Sequence, residues 1–220
     1  MFTHKTLDVP KLERFHVDNK RFYRKPNTTK LKNYISITTV TSNYSKEKFK
    51  LWRQKVGEEE ANRITKAATT RGTQMHSLVE HYLGNEVIPK SAPLPKMLFD
   101  VIKPELNKIN NILGIEIPLY SDHFGIAGTC DTIAEYNNIL SIIDYKTSER
   151  PKPVEWIEGY FVQAAAYSAM LYEMTGIAAK QLVIIMSCEN GEVETYIETD
   201  IKKYLKLLIK YIDKFKKDNE

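Results

Sequence analysis

The sequence predicts a mixed α/β (α+β) protein: a central mixed β-sheet flanked by helices, with a largely helical cap on its N-terminal side. Three observations carry this. Two apolar-patterned runs flank Asn137-Asn138 in GIAGTCDTIAEYNNILSIIDYKTS. Asn tolerates positive φ, so a two-residue Asn loop between such runs reads as a hairpin turn. An alanine-rich stretch at 154–175 then leads to LVIIMSC, a continuous apolar run short enough to be a buried strand. Upstream, 46–69 is rich in Glu, Lys and Ala, the composition of a helix.

Taken in order, residues 1–35 show little periodicity and read as an extended basic arm with one short strand. Residues 36–44 open a short helix, capped by Ser36 or Thr38. The helix over 46–69 has Gly57 as a possible break, and Thr70 caps the next helix, which carries His76 and ends near Gly84. Pro89, Pro93 and Pro95 mark a loop, and 96–112 is helical despite Pro104. Strands follow at 114–121, 126–136 and 139–147. A long helix spans 154–175 and stops at Gly176. LVIIMSC pairs across Asn190-Gly191 with an edge strand from Val193 to Glu198, and 200–217 forms an amphipathic, Lys-rich helix. A chain of 220 residues suits one domain. Its expected parts are the arm (1–35), a helical region (36–112), a core of sheet and helix (113–200) and the terminal helix (201–220).

The hairpin has a chemical consequence. With Asn137-Asn138 as the turn, Tyr136 faces Ile139, and counting outward brings Asp131 opposite Asp144. Cross-strand Cβ atoms lie about 4.5–5.5 Å apart, so both carboxylates emerge together. Lys146 follows two residues on, about 6–7 Å along the same face, while Ile143 and Tyr145 point the other way. Stacked carboxylates repel, and a cation between them offsets that repulsion. Mg²⁺ takes oxygen ligands and usually keeps waters and substrate phosphates in its shell.

Asp131, then Asp144-x-Lys146 at the end of a hairpin, resembles the signature of the PD-(D/E)XK nuclease superfamily. Arg71-Gly72-Thr73 followed by His76 resembles the Gly-x-x-x-His helix of its RecB-like branch. Glu116 in GIEIPLYSD sits where that branch carries an acid on the strand before the hairpin, and Gln163 and Tyr167 resemble its Gln-x-x-x-Tyr helix. The segments WRQKVGEEEANRITKAATTRGTQMH and SIIDYKTSERPK look most like phage exonucleases related to mitochondrial genome maintenance exonuclease. One departure is Cys130, where the superfamily has Pro before the first Asp; that position shapes the strand rather than the chemistry.

The resemblance implies a metal-dependent DNA exonuclease acting on single strands or DNA ends, with Mg²⁺ or Mn²⁺ as cofactor. Asp131 and Asp144 would hold the ion, with the main-chain carbonyl of Tyr145 completing its shell and Glu116 touching metal or water. His76 would be a further metal ligand, supported by Glu80 one turn on. Lys146 would contact the scissile phosphate and orient or deprotonate the nucleophilic water; acting as a base requires a lowered pKa. Gln163 and Tyr167 would orient substrate or that lysine. Arg71 resembles a position near the scissile phosphate, and could equally pair with Glu58, Glu59 or Glu60. Two rival readings use the same residues: a structure-selective endonuclease, and a non-catalytic nucleic-acid-binding subunit with a nuclease fold.

Composition narrows the classes further. Cys130 and Cys188 are too few for a disulfide framework or for the four-cysteine iron–sulfur cluster of some RecB-like proteins. No apolar run approaches the roughly 20 residues a membrane helix needs. Asp8, Glu13 and Asp18 argue against a transit peptide. The expected setting is the cytoplasm of a bacterium or a phage-infected cell.

The net charge of +4 is uneven: residues 1–50 hold 12 Lys/Arg against 4 Asp/Glu, so the remainder is acidic. KRFYRKPNTTKLKNY interleaves Lys20, Arg21, Arg24, Lys25, Lys30 and Lys32 with Phe22, Tyr23 and Tyr34. Cations attract phosphates and rings stack on bases, so this is a single-strand-binding composition. The same residues would also serve a solvated arm whose rings pack on the domain. Trp52, Trp156 and most tyrosines read as core or helix-packing residues.

Overall fold

The computed structural model describes residues 1–18, 20–26 and 32–219; Lys30 lies outside them. The elements run β1 (Glu13–Val17), β2 (Lys20–Arg24), β3 (Asn33–Ser36), α1 (Ile37–Tyr44), α2 (Lys46–Val56), α3 (Glu58–Leu83), α4 (Pro93–Leu106), β4 (Ile109–Ser121), β5 (Ile126–Tyr136) and β6 (Ile139–Ser148). A 3₁₀ turn (Val154–Trp156), α5 (Glu158–Thr175), β7 (Gln181–Cys188), β8 (Val193–Glu198) and α6 (Ile201–Lys217) follow. Eight strands form one mixed sheet flanked by helices. Among the described residues no helix is long and apolar enough to cross a membrane.

The hairpin is the frame of the molecule. Asn137 and Asn138 both have positive φ, 50° and 65°, the pairing that a two-residue turn between twisted strands demands. Tyr136 faces Ile139, and the ladder runs inward to Thr132 opposite Ile143. β6 and β7 are parallel, joined through α5, and β8 closes that side antiparallel to β7. β4 covers one edge of β5 along its length. The other edge of β5 is shared: β6 takes 132–136, and β3 takes Ile126 and Ala127. Residues 128–131 lie in the gap between those partners.

Two apolar clusters sandwich the sheet. One joins Ile37 and Val40 of α1, Phe161 to Leu171 of α5, and Tyr204 and Leu208 of α6 to Ile142, Ile184 and Met186. The other packs Met75, Leu78, Val79, Leu98 and Phe99 of α3 and α4 on Ile143, Tyr145, Val183 and Ile185. Ala164, Ala165 and Ala166 are fully buried, so the α5 backbone lies close to the sheet. At the closest approach, a Cβ on Gly128 would stand 2.8 Å from a Tyr167 ring carbon and 2.9 Å from Ile37. Gly128→Ala is therefore expected to destabilise the protein by about 1–3 kcal/mol through overpacking. A lower urea midpoint at unchanged slope would record this; an unchanged midpoint would contradict the packing.

Four details depart from expectation. Residues 1–35 hold three strands rather than one; β1 is exposed at four of its five positions, so it shows no alternation to read. Thr70 is not a cap: α3 is continuous from Glu58, and Gly57 at φ 91° makes the break. α4 starts at Pro93, because prolines in a first helical turn lack only N–H groups that have no helical partner anyway. β4 begins at Ile109, not 114, with a register shift between Asn110 and Gly114 that masks its period.

Candidate active site

Asp131 and Asp144 occupy the first position beyond the last paired residues of β5 and β6, Thr132 and Ile143. On the other edge of β5, β4 pairs Ile115 with Thr132 and Ile117 with Cys130, skipping Glu116 and Asp131 between them. Glu116 has φ 48°. A side-chain-bearing residue in that conformation costs about 1–3 kcal/mol and is kept only where its surroundings over-determine it. Three acids thus stand in a row on adjacent strands. A cleft of about 460 Å³ opens over them, at the gap where β5 has left β6 and not yet met β3.

His76 reaches the row from α3. Its Nε2–H donates to the Tyr145 carbonyl at 2.8 Å, and Nδ1 lies 3.5 Å from Asp131 and 4.0 Å from Glu116. A nitrogen facing a carbonyl carries hydrogen, and so does one facing two carboxylates, which makes the ring an imidazolium. Burial alone would lower its pKa; the Asp131 charge first, and the nearby Glu116 carboxylate, hold it up to about 9. Donor atoms of His76, Glu116 and Asp131 all lie within 4.8 Å of one another. The Tyr145 carbonyl, expected on the ion, accepts that hydrogen bond and orients His76. The Tyr145 N–H donates to Asp131 Oδ2 at 3.0 Å, fixing that carboxylate in place of a ladder bond.

Asp144, expected beside Asp131 as a ligand, follows it in the row and is paired with Lys146. Its side chain is 2% exposed, and neither oxygen receives a well-directed hydrogen bond. Burial pushes its pKa up to about 6, with Lys146 opposing and Asp131 adding to the rise. Burial would lower the Lys146 pKa, but Asp144 and Asp131 outweigh it and hold the lysine above its ordinary value. Lys146 is thus an ammonium here, placed to act by charge rather than as a base. Protonated His76 and Lys146 are the two cations among three acids.

Hard oxygen donors with one imidazole, plus a buried carboxylate lacking directed hydrogen bonds, fit a divalent ion of the Mg²⁺ or Mn²⁺ kind. Binding through Nδ1 requires His76 to lose its proton. Ion affinity is therefore expected to rise with pH up to about 9, releasing about one proton per ion at neutral pH. Calorimetry in buffers of different ionisation enthalpy measures that proton, and its absence, or unchanged affinity in His76→Ala, would remove His76 from the ligand set. The metal-free protein should show the linked effect. The raised pKa contributes stability fully present below about 6.5 and lost as pH rises through about 9.

The remaining expected residues divide. Gln163 donates to the Tyr167 hydroxyl at 3.2 Å, and both line the cleft, as does Glu80. Arg71 pairs with Glu189 rather than with Glu58–Glu60, its Nε 3.4 Å from Thr147; Glu58 and Glu60 pair with Arg53 and Arg63. The basic arm is not one surface. Lys20 donates to Asn219, Arg24 pairs with Glu13 at 2.8 Å, and Lys25 with Asp122 at 3.3 Å. Phe22 stacks on Phe15. Tyr23 is 2% exposed, with its hydroxyl on Thr129, so its ring cannot receive a base. Arg21 faces the cleft, its buried Nε without a hydrogen-bond partner. Sequence reading missed Arg14, which lines the cleft from β1; the exposed pattern of that strand gave no signal for it.

No family model matches the chain. It is 26% identical over 126 residues to mitochondrial genome maintenance exonuclease 1 of Homo sapiens, covering 53% of this chain and 36% of that protein. The Xenopus tropicalis protein of that name is 29% identical over 128 residues, covering 53% and 35%. The chain spans about a third of the length of these relatives. A solved structure from Eubacterium rectale, provisionally named an exonuclease, aligns at TM-score 0.47 with 16% identity, over 66% of this chain and 63% of that one.

Proposed function

We propose that this chain is a metal-dependent deoxyribonuclease of the RecB-like branch of the PD-(D/E)XK superfamily, working as an exonuclease on single-stranded DNA or DNA ends. The observation that carries this is the row Glu116, Asp131, Asp144 on three adjacent strands with Lys146 beside it. The likeness to proteins named exonucleases supports it.

His76, Glu116 and Asp131 would hold the ion, with Asp144 of the same cleft as a further carboxylate ligand in competition with Lys146. A divalent ion there supplies charge against the phosphoryl oxygens and acidifies water. The chain's own residues do the rest. Lys146 presents an ammonium to the scissile phosphate, where negative charge grows in the transition state. Gln163, braced by Tyr167, holds the other side of the cleft. Arg14 and Arg21 form the opposing basic wall and take phosphates along the strand. Arg71 acts through Glu189 to set the end of β6 at Thr147.

Incubation with end-labelled linear and with circular single-stranded DNA, plus Mg²⁺ or Mn²⁺, tests the reading. Degradation of the linear strand alone is expected. Cleavage of the circle would make the protein an endonuclease, and cleavage of neither would leave the non-catalytic rival.

A further inference from the structure

We propose that Trp156, with the cleft beside it, is a nucleobase-stacking subsite for the nucleotide next to the scissile phosphate. This rests on the nuclease reading above and adds to it a residue that the sequence pattern had placed in the packing. Trp156 is 76% exposed. It sits in the 3₁₀ turn between β6, which carries Lys146, and α5, which carries Gln163. Pro151 and Pro153 precede it, and Trp156 N–H donates to the Pro153 carbonyl at 2.9 Å. The turn is therefore braced before any ligand arrives, which limits the entropy lost on binding.

The cleft at its side measures about 590 Å³ and shares Thr38 and Gln163 with the acidic cleft. The two are consecutive stations of one groove. Its aromatic lining suits a flat group. Glu155 and Glu158 line it beside Lys48, an acidic surplus that disfavours phosphate. Tyr44 and Tyr211 stack at 3.6 Å, 9° from parallel, to form an aromatic wall. Phosphate-binding charge lies to the side, where Lys146 and Lys152 flank the Tyr160 ring at 5.1 and 5.7 Å. A strand whose phosphate meets Lys146 would turn its neighbouring base toward Trp156. Indole accepts any base face, so the subsite should bind without sequence preference.

The chain has two tryptophans, so Trp52→Phe leaves Trp156 as the one tryptophan, whose emission is read by excitation to the red of tyrosine absorption. Titrating that variant with a single-stranded octanucleotide in Ca²⁺ should quench its emission saturably. Moving one abasic residue along the oligonucleotide should abolish the quench at a single position, adjacent to the bond cut in Mg²⁺. Trp156→Ala should raise KM about 5- to 140-fold with kcat nearly held, and Trp156→Phe should recover most of the loss. At 76% exposure the substitution does not threaten folding. Emission unchanged at saturating DNA, or wild-type KM in Trp156→Ala, overturns the subsite even if cleavage is normal; a partner protein would then be the better occupant. Absence of cleavage with a position-dependent quench would instead overturn the nuclease reading and leave the subsite standing.

Discussion

Asp131→Ala and Asp131→Asn should each lose DNA cleavage by on the order of a thousandfold or more, in Mg²⁺ and in Mn²⁺. Asp131 is the acid that both faces His76 Nδ1 and is fixed by Tyr145 N–H. Asparagine keeps an acceptor for that N–H and so keeps the local backbone, but it removes the charge. The two variants should therefore be equally inactive, and the asparagine protein should lose, near neutral pH, the stability that the Asp131 charge lends to protonated His76. Single-turnover cleavage and a thermal melt measure both halves. A charge-neutral variant retaining a tenth of wild-type activity would mean that Asp131 holds structure only. Asp144→Ala should be as inactive, with weaker ion binding measured by calorimetry.

Lys146→Ala should lower kcat by about 10²–10³-fold, the usual loss for removing one group that stabilises transition-state charge. Its effect on stability should depend on the ion. Asp144 is buried with no directed hydrogen bond and has Lys146 as its cation. Breaking a buried pair by removing one partner costs about 3–5 kcal/mol. The variant should therefore melt well below wild type in chelator and recover in Mn²⁺, whereas the wild type gains less. Ion affinity should hold or rise, because the lysine no longer competes for Asp144. An equal melting temperature in chelator would show that Asp144 is neutral and that the pair contributes nothing.

The site was legible where a local rule fixes register. The Asn-Asn turn sets Tyr136 against Ile139, and counting outward residue by residue reaches Thr132 against Ile143, with Asp131 and Asp144 next in line. Glu116 was placed by its strand, but its left-handed backbone was not foreseeable, since nothing in GIEIPLYSD favours positive φ. Long-range pairing was the hidden part. Glu189 lies 118 residues from Arg71, and no pattern announces that contact. The β1–β2 hairpin escaped because β1 is exposed at four of its five positions and shows no alternation, so Arg14 and Arg21 looked like tail charges although both line the cleft with the acids. Trp156 misled for the opposite reason: large apolar rings are usually buried, and only the position of the turn shows that this one is not.

The claim that His76, Glu116 and Asp131 hold the ion is tested most directly by anomalous diffraction from crystals grown with Mn²⁺. The expected result is a peak contacting His76 Nδ1 and the Glu116 and Asp131 carboxylates, with His76 Nε2 still on the Tyr145 carbonyl. No peak there at saturating Mn²⁺, with active protein in the crystal, would contradict it.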